Sequence, residues 1–510
     1  MPIDYAAPPA PVQGDISTLR ADASRGAVSV AVGRYTLHVH APGVLAEAEI
    51  KAAIVGSVDL SNAVRQLTAA AQRRGALVPK TLYARNGNEV YVSIQAGTIG
   101  SVSAPPELMP YFEGLSKQNP LRIEDFEKKR LFASVHASRM GESFTPVFSA
   151  GAGQTYALLL KPGAEAVNPG SVRINLSNTG NRFTGREFLD LDIRRGLASG
   201  DEISALARTA ATVLQIDDQE PGSDYHEYQL GWSRVTPLGL FAASSRYFDY
   251  RQQVQGLAYN GELWITDASY TGVLRSSTTS RITVQAKADY IYKRLELDSN
   301  GLLLQEQPYP SLELGAAWST SLRFLDRQWL SVATVSTRKG LGSSSRAASA
   351  FADLDYWLLR PSYSLRSQGA PWTAELQLSL QYANDTVPEQ QQSIVGGIGN
   401  LHAYVPGVAL GDRGLLVRLV GEYAPHTFYT VSFKPRVFLE FGAAEYSEKA
   451  SGRPDGVQAL TDIGAEVVIG FRPWLEAALA AALPLQSSGV AKQVRDDARA
   501  DLLFRLTSRF

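Results

Sequence analysis

Residues able to act as nucleophiles, bases or metal ligands are few and scattered in this chain of 510 residues. It contains no cysteine, which removes disulfides, thiolate metal sites and cysteine nucleophiles together and is compatible with an oxidising compartment. Of its six histidines, His38 and His40 stand at i and i+2, so a strand would turn both to one face, where a metal could be shared. No carboxylate or third histidine follows at ligand spacing in the local sequence, so two residues on one side of a strand are the plainer reading and no metal site is assigned. The stretch "GGIGN" has neither the lysine of a P-loop nor the strand-then-helix context of a dinucleotide site. The run "GSSS" (342–345) reads as a surface loop, and no serine sits in a G-x-S-x-G elbow. No catalytic residue and no cofactor are expected.

One stretch stands apart: "SIVGGIGNLHAYVPGVALGDRG" (393–414), within a loop placed at 385–412. Loops this long inside a compact fold are usually functional or disordered, and this one is not made of disorder-promoting residues. Its glycines Gly396, Gly397, Gly399, Gly411 and Gly414, its Asp412 and the pair His402 and Tyr404 are therefore the candidate functional residues.

The elements around that loop fall into two regimes. Residues 1–29, with Pro2, Pro8, Pro9 and Pro11, read as a flexible leader in which "DISTLRADAS" is at most a short helix. Residues 30–97 carry a β-α-α-β-β order: "YTLHVHAP", two amphipathic helices ("LAEAEIKAAI" and "LSNAVRQLTAAAQRRG", stopped at Gly75), and a hairpin turning at Asn86-Gly87. Residues 98–165 repeat the order more weakly, with "ELMPYFEGL" and "RIEDFEKKRLFASVH" as the helices.

From 166 to 510 period two takes over. In "WTAELQLSLQYAN" Trp372, Ala374, Leu376, Leu378, Leu380 and Tyr382 alternate with Thr373, Glu375, Gln377, Ser379 and Gln381, and "ITVQAKADYIYK" (282–293) sorts nearly as well. Soluble sandwich strands run about 5 to 6 residues. Alternating segments of 10 to 14, with aromatics at the ends of the apolar face, suit a transmembrane barrel whose apolar face meets lipid. Sixteen such segments can be counted, at about 22 residues per strand and turn, and an even number lets the sheet close without an edge in lipid. The fold class expected is thus two α+β modules followed by an all-β, 16-stranded antiparallel transmembrane barrel. The last segment ends on Phe510, an aromatic of the kind that barrel-assembly machinery reads.

Composition fits. Lys+Arg total 49 against 50 Asp+Glu, so no global field draws nucleic acid. No apolar run is long enough for a spanning helix; "WLEAALAAALPL" (474–485) is short and contains Glu476. The first residues lack a signal peptide's charge and apolar pattern, which implies either a cytosolic protein or a mature form starting at Met1.

Tandem modules before such a barrel resemble the two-partner secretion transporters (TpsB), which export haemolysins and filamentous adhesins. The modules would then be POTRA domains. "LTAAAQRRGALVPKTLYA" with its exit "GTIG" is similar to the family's first POTRA. "VRINLSNTGNRFTGREFLDLDI", with Asn178, Gly180, Thr184 and Gly185, is similar to its first barrel hairpin. "GDRG" followed by a strand is similar to the end of its loop six, which folds into the lumen between strands eleven and twelve. The resemblance implies a tip motif V-R-G-Y/F whose arginine pairs with an aspartate in "F-x-D-x-G" on strand thirteen. Here the tip reads Leu401, His402, Ala403, Tyr404, and the strand reads "FLEFG" with Glu440 at the aspartate's place. The guanidinium fork is lost. Either His402 and Glu440 replace the family's pair, with Tyr404 also against strand thirteen, or His402 is an exposed loop residue and Glu440 one lumen charge among many.

The resemblance also implies an outer-membrane location in a Gram-negative cell with the POTRA domains in the periplasm, a secreted client of TpsA type as partner, contact with outer-membrane lipid and the barrel-assembly machinery, no nucleic acid, and a monomeric pore working without nucleotide hydrolysis. Three other readings stay open: a barrel-insertase relative, a barrel enzyme, and a passive porin.

Overall fold

A computed structural model describes residues 10–57, 59–117, 121–150, 155–164, 167–180, 185–210, 224–254, 256–277, 279–343, 352–369, 371–448 and 453–510. Pro2, Pro8 and Pro9 of the leader, Thr184 of the hairpin motif, and Ser344 and Ser345 of the serine run lie outside the described residues.

In the first module, the helices Glu47–Ile54 and Leu60–Arg73 pack on a five-stranded sheet. Asp59 starts the second helix by accepting the Asn62 N–H at 2.7 Å, and Ala63, Val64, Leu67, Ala70 and Ala71 give it one buried face. The helix ends before Gly75, whose φ of +116° suits only glycine. The hairpin Pro79–Asn86 and Glu89–Ala96 turns through Gly87.

The leader departs from expectation. Val12–Gln13 adds a parallel strand beside Pro79–Asn86, and the helix Ile16–Ala23 lies over the sheet with Leu19 buried, so residues 12–29 are built into the first module rather than flexible. Asp15 caps that helix by accepting the Thr18 N–H at 2.9 Å, and Asp22 accepts Ser93 Oγ at 3.1 Å. One apolar anchor, a local cap and one polar contact to a distant strand leave almost no periodic signal.

The second module holds the helices Met109–Phe112 and Ile123–Met140 against a sheet of Thr98–Ser103, Thr155–Pro162 and Phe144–Ala150, in that spatial order. The first helix is only four residues, with Pro110 in its first turn and Gly114, at φ +81°, just beyond its end.

Barrel strands are numbered in chain order. They are β1 (Gly170–Ser177), β2 (Phe188–Gly196), β3 (Asp201–Ala210), β4 (Asp224–Thr236) and β5 (Gly239–Val254). Then come β6 (Leu257–Ser276), β7 (Ser280–Leu297), β8 (Leu302–Phe324), β9 (Arg327–Gly340), β10 (Trp357–Gln368) and β11 (Trp372–Ala383). The last five are β12 (Arg413–Tyr423), β13 (Val431–Glu445), β14 (Gln458–Arg472), β15 (Leu475–Ser488) and β16 (Leu503–Arg509). All pair antiparallel with their neighbours, and β16 closes on β1 from Arg505↔Ser177 to Arg509↔Arg173. The three-residue strand His426–Phe428 extends the β12–β13 turn.

Lengths run from 7 residues in β16 to 23 in β8, a wider range than the expected 10 to 14. About 9 to 11 residues cross the hydrocarbon core, so the long strands continue beyond it. Outward side chains such as Trp264, Leu314, Trp318, Tyr382 and Val437 are exposed, as lipid contact requires. Inward ones form charge ladders: Arg366 to Glu422 at 3.2 Å, Glu422 to Arg436 at 2.7 Å, Arg436 to Glu466 at 3.0 Å.

The second module is hydrogen-bonded to the rim of short barrel turns. Arg139 donates to the Gly200 carbonyl at 2.6 Å and to Ser233 Oγ at 2.6 Å. His136 Nε2 lies 2.9 Å from the Ala198 carbonyl and Nδ1 3.0 Å from the Tyr111 hydroxyl, which donates to the Val235 carbonyl at 3.0 Å. Burial pushes that hydroxyl up to about 12, so it remains a donor.

Candidate functional site

The loop between β11 and β12 begins and ends at one buried carboxylate. Asp412 accepts the Val387 N–H at 3.0 Å and the Ser447 N–H at 2.8 Å, tying the outgoing limb and the β13–β14 connection to the start of β12. The flanking glycines allow the limbs to touch. A Cβ on Gly411 would stand 2.5 Å from the Glu445 backbone, and one on Gly414 1.9 Å from Ser393 Oγ. Ser393–Val395 and Ala409–Gly411 pair antiparallel as a stem. At its end Gly396, Gly397 and Gly399 adopt φ of +106°, +93° and +80°, which bends the chain sharply toward the barrel wall.

The tip, 401–405, is buried. Cross-strand register places Arg418 of β12, Glu440 of β13 and Asp462 of β14 side by side. Glu440, wholly buried, accepts the His402 N–H at 2.9 Å, faces His402 Nδ1 at 2.8 and 3.0 Å, and accepts Arg418 Nε at 2.7 Å. Asp462 accepts the next N–H, that of Ala403, at 2.7 Å. Two successive backbone N–H groups thus meet two carboxylates on adjacent strands, and the turn at the tip, in which the Tyr404 N–H donates to the Leu401 carbonyl at 3.3 Å, supplies them whatever its side chains. The His402 ring stacks on Phe438 at 4.2 Å. Leu401 occupies the space that Gly442 leaves, where a Cβ would lie 2.4 Å from Leu401 Cδ1.

The structure brings His402 and Glu440 together but places Tyr404 differently from expectation. Its backbone bridges to Arg499, with the Val405 N–H donating to the Ala498 carbonyl at 2.8 Å and the Ala500 N–H to the Ala403 carbonyl at 2.9 Å. The partner is the β15–β16 connection, with its helix Lys492–Asp497, rather than strand thirteen. Beyond Ala403 the tip has left the carboxylates, and this inward-folded segment satisfies its remaining backbone groups. Asp462 and Arg418 were not singled out from the sequence, and Gly442 only as the last residue of "FLEFG". The alternation of β12 to β14 assigns the first two to the lumen face, but not to this loop.

Phe510 is exposed; its N–H donates to the Val172 carbonyl at 2.9 Å, so it extends the closing strand. Asn178 seals the same seam, its amide donating to the Leu502 carbonyl at 2.8 Å and accepting the Phe504 N–H at 2.7 Å. In the first module His38 meets Ser29 Oγ at 2.9 Å through Nδ1 and Glu89 through Nε2, a cross-strand contact on the half-buried sheet face where its ring stacks on Tyr91. No group of three or more His, Asp or Glu able to hold a metal occurs among the described residues.

A family model described as haemolysin secretion/activation protein ShlB/FhaC/HecB matches residues 163–465. Among solved structures the chain is similar to CdiB from Escherichia coli, with a TM-score of 0.72 and 15% identity over 97% of this chain and 96% of that one. It is also similar to CdiB from Acinetobacter baumannii, with a TM-score of 0.63 and 14% identity over 95% and 90%. No curated protein matches it in sequence.

Proposed function

Since the chain belongs to the haemolysin secretion/activation protein family, the TpsB-type transporters of the outer membrane, we propose that it exports an unfolded partner protein captured in the periplasm. The two modules, residues 12–97 and 98–165 in this reading, act as POTRA domains. Each sheet ends in an outer strand, Val28–Val32 in the first and Phe144–Ala150 in the second, to which an extended client chain can add by main-chain hydrogen bonds. The junction through Arg139 and His136 hands the client to the barrel mouth. Polar and charged lumen residues solvate it in transit, and folding outside supplies the drive without nucleotide.

The observation that carries this reading is the loop tip anchored inside the lumen by Glu440 and Asp462. A loop so held obstructs the pore at rest and is displaced when the client arrives. Phe510, at the closing strand, serves as the signal read by the barrel-assembly machinery.

The test is deletion of residues 10–165. The remaining barrel is expected to insert and conduct ions while secreting no client. Normal secretion by an inserted, module-free barrel would show that the modules do not capture the client. Turnover of lipid or peptide by the purified protein alone would favour a barrel enzyme instead.

A further inference from the structure

The tip is held by β12, β13 and β14, but the outgoing limb of the same loop is held elsewhere on the wall. The short turn Glu389–Gln391 touches four strands. Glu389 forms an ion pair with Lys293 of β7, and Gln390 Nε2 donates to Tyr309 Oη of β8 at 2.9 Å. The Gln391 carbonyl accepts from Arg360 of β10 at 3.1 Å and from Gln381 of β11 at 2.8 Å.

The ion pair is lopsided. The Lys293 side chain is 5% exposed, whereas that of Glu389 is 67% exposed to the lumen. Among the described residues, Glu389 is the acceptor that Lys293 Nζ meets. Covering an ammonium and withholding its carboxylate is costly, while a carboxylate that reaches the lumen water loses less when its ammonium is removed. The contact therefore matters to the closed position of the loop chiefly through what happens to Lys293.

We propose that Lys293 and Glu389 are positioning residues that form a second lock, closing the stem side of the lumen independently of the tip. This rests on the reading above that the loop obstructs the pore. The asymmetry gives the lock a signature that a merely structural glutamate would lack. Glu389→Ala leaves an unpaired ammonium under the loop, so the stem lifts. Lys293→Met loses the attraction but leaves no unpaired ammonium, so it opens the stem less than Glu389→Ala does, and the double variant opens only as far as Lys293→Met.

The experiment uses full-length protein in planar bilayers, with heat-modifiable gel migration to establish that each barrel is folded. Glu389→Ala is expected to raise the frequency of large openings about tenfold. Lys293→Met should raise it only about twofold to threefold, the loss of the pair itself, and the double variant should match Lys293→Met rather than Glu389→Ala. Combining Glu389→Ala with His402→Ala should multiply the two effects, as independent sites do. A folded Glu389→Ala barrel that opens no more than the parent, or a double variant as open as Glu389→Ala, overturns the second lock. If His402→Ala opens the pore and Glu389→Ala does not, the stem lock alone fails. If neither does, obstruction by the loop fails as well.

Discussion

Arg418 on β12 and Glu440 on β13 are direct cross-strand partners joined at 2.7 Å, so the wall itself brings a guanidinium to the carboxylate that receives the loop tip. The resemblance to the exporter family places that guanidinium on the tip, where this chain has His402. The tip keeps two backbone N–H groups on Glu440 and Asp462 and adds only the Nδ1 contact from its side chain.

Unequal losses follow from that arrangement. His402→Ala removes one side-chain hydrogen bond, about 1 to 2 kcal/mol, and leaves both backbone donors in place. Glu440→Ala strands the His402 N–H, its ring and Arg418 at once, and is expected to cost about 3 kcal/mol or more. Protease accessibility of the loop and basal conductance should rank the variants accordingly, with the double variant close to Glu440→Ala. Additive losses would show that the two side chains do not act as one lock.

Gly442 makes room for the tip. Gly442→Ala places a Cβ 2.4 Å from Leu401 Cδ1 and 2.7 Å from Val395 Cγ1, an overpacking of about 1 to 3 kcal/mol that the loop can relieve by withdrawing. The barrel should fold and its conductance rise. Unchanged conductance in a folded barrel would mean that the tip shifts without leaving.

At the seam, Asn178→Ala removes two hydrogen bonds and leaves the Phe504 N–H unpaired, a loss of about 2 to 3 kcal/mol. The temperature at which the folded gel band disappears should fall. A band as heat-resistant as the parent's would show that the backbone ladder alone holds β16 to β1.

For the junction, Arg139→Ala should lower secretion several-fold while leaving insertion and conductance intact, because the contacts it breaks, to Gly200 and Ser233, join module to rim and not strand to strand. Arg139→Lys should recover only part of the loss, since an ammonium lacks the planar fork that reaches both. Secretion unchanged by Arg139→Ala would separate this contact from client transfer.

Much of the fold was legible because its periods are local and long. Alternation such as that of Trp372 to Tyr382 places apolar side chains in lipid and polar ones in the lumen, and a one-residue slip would reverse both faces. The β-α-α-β-β order, the helix end at Gly75, and the glycine-rich bend at 396–399 rest on rules that act within a few residues. The helix Ile16–Ala23 escaped because Leu19 is its single apolar anchor, and its burial depends on strands some sixty residues away.

Which lumen charge meets which loop atom was decided only in three dimensions. Cross-strand register sets Arg418, Glu440 and Asp462 in a row, and closure brings the β15–β16 connection to Tyr404 and Val405. The sequence by itself determined the barrel, because lipid and water sort side chains residue by residue, and it set apart one long glycine-rich loop, whose inward course only the resemblance implied. The tertiary structure alone decided how the loop is held, since buried backbone N–H groups take whichever carboxylate the closed sheet presents, and backbone donors leave no mark in the amino-acid sequence.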